Sequence, residues 1–249
     1  IAPMSWLPDS IKDLLRHVPT LLWEMVEWGS MTKDVTALST RLLTGRGRQE
    51  AQSALRNHLP PGLEFGAPGE TPVEARQALG GAWLELYFRQ LLARGPMFLD
   101  LRPQHVGGKT GRWQWQPTSL WAEFSPAFGE ALLKIYEGFY QSNEALFREG
   151  LAQAGLLDVA WPAADQQEMV ALFKTHFGQA ESGKMRFRLA DFQQSFHKIF
   201  SFLAEKKVRL SADVLHLGIM LVTLYMALEA FGGEHDVAAA YRRALAQSR

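Results

Sequence analysis

The chain has 249 residues, 47% of them hydrophobic and 21% charged, a composition that excludes a disordered protein and suffices for one large domain or two small ones. Its 26 basic residues balance 26 acidic ones, so no net field draws it to nucleic acid. It contains no cysteine, which rules out disulfides, thiolate catalysis and thiolate-held metals.

Eight tryptophans and fifteen phenylalanines exceed what a core of this size needs, so some are expected to line a groove or an interface. Asp9 or Ser10 caps a first helix whose apolar positions Ile11, Leu14, Leu15, Val18, Leu21, Leu22, Met25 and Val26 keep a helical period. Pro19 is its expected kink and Gly29 its stop. With Trp6, Trp23 and Trp28 beside it, the 11–28 helix has two readings: peripheral contact with a membrane or a partner, and plain packing on the core. The opening residues lack a basic stretch ahead of an apolar run, so no signal peptide is expected and the location is read as cytoplasmic or peripheral to a membrane.

A second helix carries Val35, Leu38, Leu42 and Leu43, and a third covers about 49–58 until Pro60-Pro61-Gly62 stops it. Gly45-Arg46-Gly47-Arg48 lacks the third glycine and preceding strand of a dinucleotide fingerprint and reads as a basic loop. Residues 1–62 therefore form an N-terminal helical segment, 63–70 a linker or loop, and 71–249 a helical domain. Thr71-Pro72-Val73-Glu74 has the order of an N-cap, an N1 proline and a capping-box glutamate. The helix it opens includes Leu79, Trp83, Leu86 and Phe88 and stops at Gly95-Pro96.

One short β-hairpin is expected at about 97–116. Gly108-Lys109-Thr110 looks like the end of a P-loop, but Pro103 stands where that pattern needs glycine, so a turn is the reading. Trp113 and Trp115 share one face of the second strand, either packed inward or forming an exposed platform. Ser125 and Asn143 are placed to cap two further helices, and 165–177 forms another. Phe192, Phe196, Ile199, Phe200 and Leu203 mark an aromatic core helix, and His197 and His216 read as core histidines. The apolar run 214–228 is shorter than the roughly 20 residues of a membrane span, so it is expected to be a buried helix, and no transmembrane span is expected. The fold class is mainly α. No metal-ligand spacing and no cofactor motif occur, so neither is expected.

The run from Gly95 to Val106 (Gly-Pro-Met-Phe-Leu-Asp-Leu-Arg-Pro-Gln-His-Val) resembles the catalytic-loop hairpin of the UbiB/AarF family of atypical protein-kinase-like proteins. The stretch from Ile135 to Leu157 is similar to that family's post-catalytic helices, and 207–230 to its final leucine-rich helix, so the likeness covers about 72–231. It implies a kinase C-lobe with a helical tail, and a setting of isoprenoid-quinone metabolism at a membrane. By position, Asp100 matches the catalytic aspartate and Pro103 the motif proline. Phe98 and Arg102 replace the two motif histidines, His105 stands where a metal-binding asparagine belongs, and Gln116-Pro117-Thr118 replaces Asp-Phe-Gly.

Phosphoryl transfer needs hard acidic ligands for the metal, and no aspartate occurs from 101 to 157. The expectation is a non-catalytic, pseudokinase-like helical protein that binds a partner protein or a hydrophobic small molecule, quinone-like or lipid-like. The alternatives are an ATP-dependent kinase-like enzyme whose N-lobe lies outside this chain, and a pure assembly module. Asp100 is the single catalytic candidate; Arg102, His105, Trp113, Trp115, Trp23 and Trp28 are the candidates for ligand or partner contact.

Overall fold

Helix α2 (Val73–Ala93) is buried on every side from Trp83 to Leu91, and the other elements are arranged around it. The computed structural model describes residues 44–178 and 184–247, together with Met25 and residues 36–38, 40 and 41. The expected 11–28 helix, with Trp23 and Trp28, lies outside the described residues apart from Met25. In chain order the remaining helices are α1 (Arg48–Leu55), α3 (Pro126–Tyr140), α4 (Glu144–Gln153), α5 (Ala163–Phe177), α6 (Leu189–Glu205), α7 (Ala212–Phe231) and α8 (Val237–Ala246). The strands are short: β1 (Leu63–Phe65), β2 (Met97–Phe98), β3 (Val106–Lys109), β4 (Arg112–Trp115), β5 (Trp121–Ala122), β6 (Lys184–Met185) and β7 (His235–Asp236). The protein is mainly α.

Local chemistry sets several helix starts. The Ser125 hydroxyl accepts a hydrogen bond from the Phe128 amide at 3.3 Å, Asn143 from Leu146 at 3.1 Å, and Asp236 from Ala239 at 2.7 Å. The start of α2 departs from its capping-box pattern. Pro72 takes the cap position without a side-chain bond, and the Thr71 hydroxyl instead accepts from the Gly108 amide at 3.2 Å. Thr71 thus ties the helix start to the β3–β4 hairpin.

The strand pairing also differs from a single 97–116 hairpin. β2 pairs antiparallel with β5, downstream of the expected hairpin, while β3 and β4 form the hairpin itself. Between β2 and β3, Pro103 opens a 3-10 turn (Pro103–His105), and a residue without an amide hydrogen cannot extend a ladder. β1 lies in the stretch expected as a linker and pairs parallel with β4, completing a three-stranded sheet. Trp113 and Trp115 pack inward at 2% and 0% exposure, so neither forms an exposed platform. Trp115 sits among Phe65, Trp83 and Phe98, with ring centroids 5.4–5.5 Å away.

Helix α7 has 20 residues and is, among the described residues, the one helix long and apolar enough to cross a membrane; 72% of that stretch is buried. It is longer than the run marked in the sequence, and it serves as a core helix. Phe192, Phe196 and Phe200 are buried as expected, whereas His197 is exposed.

Helices α3 and α4 meet at a tight corner where a Cβ on Gly138 would stand 2.5 Å from the Phe147 amide nitrogen. Gly138→Ala should therefore cost about 1–3 kcal/mol, despite alanine's better helix propensity. Gly129, on the same helix with nothing within 4 Å of a built Cβ, provides the control. Gly129→Ala should be neutral or stabilise by up to about 1 kcal/mol. Urea denaturation of both variants measures the contrast, and equal effects would refute the close-packing account.

Candidate ligand-binding site

The Asp100 loop is suspended between two buried helices. The Trp83 indole of α2 donates to the Leu101 carbonyl at 2.9 Å, and the Thr223 hydroxyl of α7 donates to the Leu99 carbonyl at 2.7 Å. These bonds draw the Asp100 side chain into the interior, where 1% of the residue is exposed. Its carboxylate accepts from Arg102 Nε and Nη2, both at 2.7 Å, and His105 Nε2 lies 3.2 Å from Oδ2. Burial alone would raise this carboxyl's pKa. The Arg102 and His105 contacts outweigh burial and lower it to about 2.

A two-armed guanidinium pair with so weak a base leaves Asp100 poorly placed to take a proton from a substrate. Asp100, Arg102 and His105 are thus brought together as one internal cluster. The glycines of the neighbouring hairpin are also structural, since a Cβ on Gly107 would stand 1.9 Å from the Gly69 carbonyl oxygen. Among the described residues no group of three acidic or histidine side chains could hold a metal ion.

The chain's five tyrosines point to a different place. Tyr87 from α2, Tyr136 and Tyr140 from α3, and Tyr225 from α7 line one recess, and Tyr241 of α8 stacks on Tyr140 with ring centroids 5.1 Å apart. Phe88, His176, Phe177, Leu84, Leu224 and Val237 are among the other lining residues. The centre of a water-sized sphere has about 50 Å³ to move in there, roughly four times what one water needs by that measure, so the recess accepts about one ring or a short chain. Tyr87 and Tyr136 share a hydrogen bond of 2.5 Å. The buried Tyr140 hydroxyl has no hydrogen-bond partner among the described residues. Burial raises the pKa of Tyr140, Tyr136 and Tyr225, so all three phenols stay protonated at neutral pH.

The sequence reading missed this site because its walls come from α2, α3, α5, α7 and α8. The one local signal was Tyr136 and Tyr140, four apart on a single helix face. Beside the recess lies an outer basin in which a water-sized sphere has about 280 Å³ to move, lined by Arg186, Arg188, Asp191, Gln194, Ser195 and Lys198 among others. His176, Met185 and Tyr225 border both spaces. His176 Nδ1 lies 2.9 Å from the Ser195 hydroxyl, and burial lowers the imidazole's pKa to about 3.

Asp100→Asn removes the charge that faces Arg102, which is itself only 9% exposed, and should destabilise the fold by about 3–5 kcal/mol. This exceeds the ~1–3 kcal/mol of a disturbed neutral hydrogen bond. Because the folded carboxyl titrates below its unfolded value, its contribution is complete above about pH 4 and is lost as pH falls toward 2. Denaturant midpoints of both forms across that range measure the effect, and a loss below about 1 kcal/mol at neutral pH would refute the pairing.

His176 also titrates below its unfolded value of 6.5, so the stability it contributes is complete above that pH and drains away as pH falls toward 3. His176→Phe should flatten the stability profile between about pH 6 and 4. An unchanged slope would show the imidazole to be solvated.

The chain matches no protein-family model, and no curated protein matches it. Its own side-chain geometry is therefore the ground for a function.

Proposed function

We propose that this protein binds a hydrophobic small molecule without transforming it, and that the tyrosine-lined recess is the binding site. The observation that carries this reading is the convergence of four tyrosines on one recess, with a buried Tyr140 hydroxyl that lacks a partner among the described residues. A buried donor left unpaired costs about 1–3 kcal/mol, and a ligand that supplies an acceptor oxygen relieves that cost. Aromatic walls and few polar groups suit a single carbonyl-bearing ring, such as a quinone. The likeness of the 95–106 run to UbiB/AarF proteins fits a quinone-like ligand by analogy. In this reading the degenerate kinase-like loop is scaffold. Support comes from the Asp100 carboxylate, held by Arg102 and His105 inside the protein.

Trimethyl-1,4-benzoquinone is a suitable probe. Calorimetry should show saturable binding and a raised melting temperature, since a ligand selective for the folded state stabilises it. Tyr140→Phe keeps the ring and removes the donor. It should weaken binding about 3–10-fold, the worth of one hydrogen bond, and leave the free protein at least as stable because the unpaired donor is gone. Absence of binding to the unaltered protein, or unchanged affinity in Tyr140→Phe, would overturn the assignment. Magnesium-dependent binding of ATP in place of the quinone would favour the rival reading of a kinase-like enzyme.

A further inference from the structure

We propose that the ligand of the recess also carries an anionic group of the carboxylate or phosphate type, held in the outer basin by Arg186, Arg188 and Lys198. This rests on the recess being a binding site and names the class of molecule it takes. Among the described residues three cations line the basin with one carboxylate, Asp191, giving 3 − 1 = +2 formal charges. No ion pair joins any of the three to a carboxylate among the described residues.

Two basic side chains on the helices flanking the basin are matched: Lys174 of α5 meets Glu144 at 2.9 Å, and Lys206 at the end of α6 meets Asp165 at 2.7 Å. Unmatched like charges around a concavity raise its potential, and an anion bound there lowers it. Arginine guanidinium groups in particular present paired donors to planar carboxylates and to phosphates.

The shared border explains why the charge belongs to the same ligand. His176, Met185 and Tyr225 line both basin and recess, so the two spaces adjoin across these side chains, and His176 carries no charge at neutral pH. A molecule with an acceptor at one end, a ring or short chain in the middle and an anion at the other end would meet Tyr140, the shared side chains and the cations in turn. A neutral ligand would leave the cations unmatched, and a free anion would leave the recess unfilled.

The test compares 4-(4-acetylphenyl)butanoate with its methyl ester, which differ by one charge. The acid should bind the full chain about 3–10-fold more tightly than the ester at low salt, and the advantage should shrink at about 0.5 M salt. Arg186, Arg188 and Lys198 are exposed, so Arg186→Gln/Arg188→Gln/Lys198→Gln should fold normally, bind the ester unchanged and lose the preference for the acid. The matched phosphate monoester, run beside the acid, identifies the better anion; a gain over the ester with either one supports the proposal.

Equal binding of acid, phosphate and ester to the unaltered protein would overturn this inference and leave the recess intact as a site. An acid preference that survives in the triple variant would overturn the assignment to these three cations. Failure of trimethyl-1,4-benzoquinone to bind, whether alone or together with the acid and the ester, would overturn the recess reading itself.

Discussion

A helix buried on every side must find partners for its polar side chains in the interior, and α2 sets that requirement for the whole molecule. Glu85, Arg89 and Gln90 are all buried on it. Glu85 is held by Arg89 one turn on and by Arg243 of α8, each with a nitrogen at 2.9 Å. Gln90 accepts the Phe98 amide at 2.8 Å, fixing β2 against the helix. Breaking the Glu85 pairs would strand a charge, and the bonds to Arg243 and Phe98 each fix a neighbouring element against the helix.

From that anchoring the rest of the site geometry follows. The Asp100 loop hangs from Trp83 on one helix and Thr223 on another, and this holds α2 and α7 in register where Tyr87 and Tyr225 face one recess. Close packing lets such positions be held to fractions of an ångström. The loop thereby spans the gap between helices whose aromatic side chains line the recess.

Much of the fold was legible because it is local. Ser125 and Asn143 announced their helices through short polar side chains that can bond a free amide, and the apolar stretch of α7 announced a buried helix by its composition. Thr71 had the same signature, yet its hydroxyl went to the Gly108 amide, thirty-seven positions along the chain. Alternation showed that Trp113 and Trp115 share a face, but which face is covered depends on Phe65, Trp83 and Phe98, in three other elements. The recess was illegible for a stronger form of the same reason. Tyr87, Tyr136 and Tyr225 are separated by dozens of residues, and no spacing rule links side chains that meet only after the helices pack.

The parallel pairing of β1 with β4 bears on how the chain reaches this structure. Leu63 lies opposite Trp113, fifty positions away, with the whole of α2 between them. Closing a loop of that length costs chain entropy before any strand contact repays it. The β3–β4 hairpin, whose strands are joined by a two-residue turn, can form on its own. β1 is thus expected to add late, after α2 has collapsed onto the hairpin through Trp83 and Trp115. In amide exchange it would then open ahead of the helical core, so the sheet edge would loosen before α2 does.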